Sequence, residues 1–527
     1  MPKDKMKIFM VTREYEGIAG AGGVKDVSRQ LAEALVRKGL KAGVVLPLYS
    51  FFDPASWGFE KKPALTMDID MPYVGRERRE TVVIWAGCKN GVNIYLVDAA
   101  RYREKAGIYT YTAEEEEADP SHHQGSGHYD YFAMNVLLQK TALALLIYRN
   151  EKPNIIHCQD GHTATLPALV REKEGYRHYF RKTGFVTTVH NAGVGYHQEV
   201  GDLPFAEVIT GLPSRIILAS LLNGHFDPFM ACSSYSVMNT VSENYARELM
   251  NTDDDALTGW LGHRLKSKGI TLEGVTNGIN PDDFDPANHE KLGIAAPFSP
   301  ARGDFLGKKK CRAEIVSLIG NKKFTGLKQT GTLADEPSQP LYTFIGRFSP
   351  QKGVDKMIGA LEALLPMDDK FQVLILGSGT RDIEADLIKL ARIARYKGRI
   401  CILRGYDSKV ANKVYAAGDF FLIPSQYEPC GLTDFMAQLM GNIPIVHHVG
   451  GLVKVEDGIT GLAYKDHNSA ALMGAMLKGL QLYRERPEKI DEIRKNAVRK
   501  INKNFTWDRI VERYDTLYKK ALAMTRR

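Results

Sequence analysis

Two separate stretches of this chain alternate short apolar runs with segments whose apolar residues recur at helical spacing. That alternation points to a parallel sheet flanked by helices in each stretch. The first stretch opens with an extended apolar run at 8–11, then a glycine-rich turn from Gly17 to Gly23. Val27, Leu31, Ala34 and Leu35 next fall on one helical face, and Gly39 stops the helix. Val44-Val45-Leu46 is the following strand, so the opening is a strand–helix–strand unit whose right-handed crossover favours parallel pairing. Further strands are expected at 82–85, 93–97, 154–157, 184–189 and 239–242, with helices over 131–149 and 163–174. From Phe284 to Gly331 the strand signal fades and Pro, Gly and Lys accumulate around one helix near 310–319, with a loop-like stretch at 320–338. The second alternation starts at Leu341, with strands at 342–345, 372–376, 400–403, 420–423 and 444–446 and helices at 354–365, 381–395 and 409–416.

A chain of 527 residues exceeds what one hydrophobic core holds together, so two domains are expected. The division falls at 1–290 and 291–505, with a last helix, 506–527, expected to cross back to the first domain. The fold class is α/β, two Rossmann-like doubly wound domains facing across a cleft. Ligands of such sheets bind at the carboxyl ends of the strands. The start of the chain enters an apolar strand at once, so no secretory leader is expected, and no apolar run nears the roughly 20 residues that span a bilayer. Six cysteines lie scattered without C-x-x-C pairs, which suits a reduced, cytoplasmic protein with neither zinc site nor disulfide framework. A net charge of +8 is mild for this length and comes largely from lysines and arginines interspersed along helices. It suits an anionic small molecule and excludes neither sugars nor phosphates. No basic stripe with interleaved aromatics argues for nucleic acid. The acidic stretch 114–119 reads as an exposed loop, and the adjacent His122-His123 pair as polar surface rather than a metal site. No metal and no cofactor are expected.

Several polar groups sit where strands end. Gly20, Gly22 and Gly23 open the first helix, and Gly377-Ser378-Gly379 follows the strand at 372–376. Each turn allows close backbone approach to a phosphate or sugar, and each also reads as a tight turn without a ligand. In G-R-F-S-P-Q-K-G, Arg347 and Lys352 stand five residues apart in a strand-to-helix loop; a bidentate guanidinium and a point charge suit a diphosphate. Asp160 and His162 follow one strand, and His190-Asn191 follows the next, types that serve as base and orienter or hold sugar hydroxyls. Between Tyr427 and Thr433, Y-E-P-C-G-L-T sets the carboxylate of Glu428 beside a proline-fixed turn, followed by the amides of Gly431, Leu432 and Thr433.

Taken together in order, these segments resemble the bacterial-type glycogen/starch synthase family. The resemblance spans most of the chain: G-G-V-K-D-V at 22–27, H-C-Q-D-G-H at 157–162, T-V-H-N at 188–191, T-V-S-E-N-Y-A-R-E at 240–248 and V-T-N-G-I-N at 275–280. G-R-F-S-P-Q-K-G, L-G-S-G, Y-E-P-C-G-L-T and G-G-L-V continue it, and F-T-W-D-R-I-V-E-R-Y at 505–514 is similar to the family's last helices. The resemblance implies a retaining glucosyltransferase of the GT-B fold, moving glucose from a nucleotide-glucose, ADP-glucose above all, to an α-1,4-glucan. It implies that Arg347 and Lys352 neutralise the donor diphosphate and that Glu428 holds glucose hydroxyls. Gly431, Leu432 and Thr433 would offer amides to the phosphate, with Gly22, Gly23, Asn277 and Gly377 also on the donor side. His190 would lie beside the anomeric carbon, and Asp160 would place sugar or acceptor hydroxyls. Neither nucleic acid nor a membrane is implied as partner.

The departures from the family pattern are local. A lysine usual two residues before the G-G pair is Gly20 here, while Lys25 occupies a position where a small residue is usual. Lys454 replaces an acidic residue usual after G-G-L, and 218–230 matches loosely; Met436, eight residues beyond Glu428, lacks the second Glu of many related transferases, as suits this family. Two alternatives stay open: a related retaining transferase using UDP-glucose or another acceptor, and a catalytically weak glucan-binding homologue.

Overall fold

The computed structural model describes residues 5–526. The chain forms two compact units, Met1–Gly278 with Trp507–Arg527, and Ile279–Thr506. The expected division at 290 thus moves to Gly278, because the turns from Pro281 to Leu292 belong with the second unit.

In the first unit the strands are β1 (Lys7–Val11), β2 (Lys41–Pro47), β3 (Glu60–Asp70), β4 (Arg79–Lys89), β5 (Val92–Asp98), β6 (Ile155–Gln159) and β7 (Gly184–Val189). A two-residue hairpin follows, β8 (Leu221–Leu222) with β9 (His225–Phe226), then β10 (Val237–Thr240) and β11 (Leu272–Gly274). Nine of them make one sheet in the order β11-β10-β7-β6-β1-β2-β5-β4-β3. All residues of β6 and β7 are buried, as befits parallel strands covered on both faces. The edge is antiparallel: β4 pairs β5 and β3 pairs β4 in that sense, so the sheet is mixed rather than wholly parallel. β3 escapes apolar patterning because it is an exposed edge, where Pro63 and a register shift between Lys62 and Thr66 are tolerated.

The helix Tyr131–Tyr148 is long and apolar enough to cross a membrane by length and composition, but 78% of it is buried within the protein. The last helix, Trp507–Met524, packs in the same unit. Its Trp507 Nε1 donates to Gln30 Oε1 at 2.7 Å, and Tyr518 Oη lies 3.1 Å from His157 Nδ1 beneath β6.

The second unit holds β12 (Lys328–Leu333), β13 (Leu341–Ile345), β14 (Gln372–Gly377), β15 (Arg399–Arg404), β16 (Phe420–Ile423), β17 (Ile443–His447) and β18 (Leu462–Tyr464). Their order is β12-β15-β14-β13-β16-β17-β18. Two expectations need correction. Residues 320–338 are not a loop throughout, since β12 pairs antiparallel with β15 as a polar edge strand. Residues 114–119 are not a plain loop either. Ala113–Ala118 is helical, started by a capping box in which Thr112 and Glu115 each bind the other's backbone amide.

Both sheets reverse direction once. In the first unit, chain order runs from β1 to β2 on one side and returns to β6 on the other. In the second, it runs from β13 through β14 to β15 and returns to β16. At each reversal the loops leave the strand ends in opposite directions and open a crevice.

Candidate active site

The second unit's crevice lies between the loop after β13, which carries Arg347 and Lys352, and the loop after β16, which carries Glu428. Lys352 ends a short 3-10 turn, Pro350–Lys352, whose N-cap Ser349 accepts from the Lys352 amide. The two loops are joined by Gln426 N donating to Gln351 O at 2.8 Å. Across them Lys352 Nζ lies 2.7 Å from Glu428 Oε2, and Ser425 Oγ donates to the same oxygen at 3.0 Å. Arg347 is exposed in the same loop. Two residues 76 apart in sequence thus share one charge-neutral polar cluster, with Ser425 as a member that sequence patterning missed.

Gly377 has a packing role. A Cβ there would stand 1.9 Å from the Gly346 carbonyl oxygen, so glycine lets the strand ends of β13 and β14 close on each other. Beyond Glu428, Gly431 adopts φ +72°, a left-handed conformation that suits glycine, and Leu432 follows in the right-handed helical region. Among the described residues, the amides of Gly431, Leu432 and Thr433 donate to no protein group, and Leu432 as N-cap offers no side-chain cap. Beneath them lies Lys454, whose ammonium binds the carbonyls of Cys430, Gly431 (2.7 Å) and Gly451 (3.0 Å) and pairs with Asp434 Oδ1 at 3.1 Å. Burial pushes the Asp434 carboxyl up to about 6, against the opposing pull of Lys454.

In the first unit, the crevice lies between the ends of β1 and β6. Asp160 follows β6 at φ +64°, a strained conformation for a residue with a side chain. Burial raises its carboxyl to about 7, although amides including that of His190, which donates to Oδ1 at 3.3 Å, pull it down. His190 is buried and pushed down to about 3, hence neutral, and its Nε2 donates to Gln159 Oε1 at 2.6 Å. That bond places the imidazole proton on Nε2. His162 stacks on Tyr109 with ring centroids 4.6 Å apart, and burial holds it well below the usual histidine range. Asn277 is buried, and its Oδ1 accepts from no described residue.

The glycine turn after β1 is arranged differently from the expectation for Gly22. Glu14 Oε2 accepts from the amides of Ala21 (2.6 Å) and Gly22 (2.9 Å), and Oε1 accepts from Tyr109 Oη at 2.7 Å. An internal carboxylate therefore holds the Gly22 amide, one of the two that the sequence suggested for a ligand. Lys25 pairs with Asp26 at 2.8 Å, and its side chain covers Gly20, where a Cβ would stand 2.1 Å from Lys25 Cδ.

Comparison with known proteins now bears on these crevices. Residues 7–264 match the family profile described as starch synthase catalytic domain, and 339–481 that of glycosyl transferases group 1. The glycogen synthase of Aeromonas hydrophila is 30% identical over 544 aligned positions, covering 99% of this chain and 100% of that protein. That of Geotalea uraniireducens is 29% identical, covering 98% of this chain and 99% of its own. Among solved structures, the catalytic domain of starch synthase IV from Arabidopsis thaliana bound to ADP and acarbose matches with TM-score 0.80 at 23% identity, covering 98% of this chain and 100% of that one. The fold is accordingly the two-domain α/β architecture of the GT-B class. With near-complete coverage in both directions, the chain belongs to the glycogen synthase family of glycosyltransferases.

Proposed function

We propose that this enzyme transfers glucose from ADP-glucose to the non-reducing 4-hydroxyl of an α-1,4-glucan with retention of configuration. The observation that carries the reading is the Lys352–Glu428–Ser425 cluster at the second sheet's reversal, continuous with three unengaged amides at 431–433. A carboxylate for sugar hydroxyls and cations with amides for a diphosphate are what a nucleotide-sugar requires side by side. In this reading Arg347 and Lys352 neutralise the diphosphate, Glu428 holds glucose hydroxyls, and Gly431, Leu432 and Thr433 bind phosphate oxygen. Gly377 acts by shaping the loop, and Gly22 and Gly23 keep the first turn narrow. Asn277 offers its buried acceptor oxygen to the donor.

The chemistry is front-face displacement. The bond from glucose C1 to the diphosphate oxygen breaks, the acceptor oxygen bonds C1 on the same face, and the acceptor proton passes to the departing phosphate. The protein's part is to stabilise charge on that leaving group. A neutral His190 presents its imidazole without competing for the cationic role, and Asp160, with a carboxyl near 7, suits hydrogen bonding to sugar hydroxyls. ADP as the nucleotide is supported by the ADP bound to the Arabidopsis starch synthase. Gly20 in place of a lysine favours comparing UDP-glucose as a second reading. Incubation with each donor and glycogen tests both: ADP release with chain growth is expected. No nucleotide release from either donor, at any concentration, would overturn the assignment.

A further inference from the structure

Lys454 is an unusual residue to bury. Its side chain is 8% exposed, it meets four oxygens on three segments of chain, and it lies 4.5 Å from the Phe435 ring centroid. Three ammonium protons cannot serve four oxygens equally, so part of the interaction is charge–dipole attraction. The two carbonyls it shares with the donor loop belong to consecutive peptides, Cys430–Gly431 and Gly431–Leu432. In a trans peptide the C=O and N–H point in opposite directions. A cation drawing both oxygens to one side therefore turns the amides of Gly431 and Leu432 to the other. The left-handed Gly431 followed by a right-handed Leu432 curves those amides into a concave row, a geometry that receives anions.

The fit beneath the loop leaves no slack. A Cβ on Gly431 would lie 2.7 Å from Leu452 Cδ2 and 3.3 Å from Lys454 Nζ. The lysine's own backbone is held from behind, since Lys500 Nζ binds the Lys454 carbonyl and reaches Glu456 Oε1 at 2.6 Å. Asp434, fully buried, supplies the countercharge.

We infer that Lys454 is a positioning residue for nucleoside diphosphate binding, acting through the peptide planes of residues 430–432 rather than by touching the ligand. The inference rests on the donor reading given above. It distinguishes a cation that orients amides from one that merely fills a buried pair.

The test is calorimetric titration of ADP and UDP into the full chain as the parent, Lys454→Met, Lys454→Arg, and Lys454→Met with Asp434→Asn. Thermal melts and separate KM values for donor and glucan accompany it. Lys454→Met should lose about ten- to a hundredfold in diphosphate affinity, the scale of one or two charge-assisted bonds. Donor KM should rise in parallel while glucan KM stays within about twofold. The double variant, with no buried charge left, should regain melting temperature without regaining affinity, and Lys454→Arg should recover part of it. A folded single or double variant that binds ADP and UDP as the parent does overturns the role of Lys454. Should Lys454→Met fail to fold, the double variant decides alone. A parent that binds neither nucleotide overturns the donor reading itself.

Discussion

Lys352 Nζ and Glu428 Oε2 lie 2.7 Å apart at the reversal point of the second sheet, so each of these charged residues is the other's nearest countercharge. The pair joins the loop after β13 to the loop after β16 with side chains 25% and 12% exposed. It fixes the direction of the Glu428 carboxylate and holds the Lys352 side chain across the two loops. Both residues were legible from the sequence as separate candidates, but their pairing was not, since 76 residues separate them.

That pairing predicts strong non-additivity. Lys352→Met removes the cation and leaves Glu428 with Ser425 as its named donor, while Glu428→Gln leaves Lys352 without a countercharge. Each should lower kcat/KM for the donor by about 100- to 1,000-fold, the range for removing one group that stabilises a leaving-group charge. The double variant should be less impaired than the product of the singles, with a coupling energy of about 1–3 kcal/mol. Steady-state kinetics on the four proteins gives this directly. Additive losses would mean the two act independently.

The Gly20 position makes a second prediction about donor strength. Gly20 is not among the residues at positive φ, so a side chain fits its backbone, but a Cβ would meet Lys25 Cδ at 2.1 Å. Gly20→Lys should therefore push the flexible Lys25 side chain aside and add a cation beside the first turn. Donor KM should fall by about tenfold, consistent with 1–3 kcal/mol for a charged hydrogen bond, with glucan KM unchanged. A donor KM within twofold of the parent would rule out a phosphate contact from this position.

Legibility followed burial. β14 and β16 are wholly buried apolar runs, and their sequences alone locate them almost to the residue. β3 and β12 were invisible because an edge strand needs apolar residues on one face at most, and K-Q-T-G-T-L or E-K-K-P-A-L-T-M-D-I-D reads as loop. The short helix Ala113–Ala118 did carry a signal, the T-x-x-E of its capping box, which the acidic composition masked. Among the candidate residues, strand-end position pointed to Asp160, His190, Lys352 and Glu428. Glu14 and Lys454 escaped because most of their partners are backbone atoms, the amides of residues 21 and 22 and the carbonyls of residues 430, 431 and 451. No side-chain pattern announces a contact with backbone.

A pH prediction comes from His197. The side chain is buried in the first unit, with Nδ1 donating to Asp227 Oδ2 at 2.6 Å and Nε2 to Ala192 O at 2.7 Å, so both nitrogens carry protons. Burial alone would lower its pKa, but the bond and charge of Asp227 outweigh it and push it up to about 9. The folded form therefore holds a proton that the unfolded form releases near 6.5. The stabilisation is complete below about 6.5 and is lost as pH rises through about 9, amounting to roughly 3 kcal/mol. Melting temperature should fall between pH 7 and 10, and His197→Gln should flatten that fall while lowering stability at pH 7. A parent whose melting temperature is constant over this range would refute the charged pair.

The grip of Glu14 on the first glycine turn is testable residue by residue. One carboxylate satisfies the amides of Ala21 and Gly22 through Oε2 and accepts from Tyr109 through Oε1. Ala21 and Gly22 are themselves exposed, so water reaches them once the carboxylate is gone. Glu14→Ala should thus cost about 1–3 kcal/mol in charge-assisted bonds without leaving buried donors unpaired at the turn. Hydrogen exchange at residues 21 and 22 should quicken by about tenfold or more, while the buried strand β6 stays protected. Glu14→Gln can keep only one of the two arrangements, because its amide nitrogen donates where the carboxylate accepted. It should fall between parent and alanine variant. Exchange at these two amides that is unchanged in Glu14→Ala would show that the turn holds itself, and would return Gly22 to the set of groups open to a ligand anion.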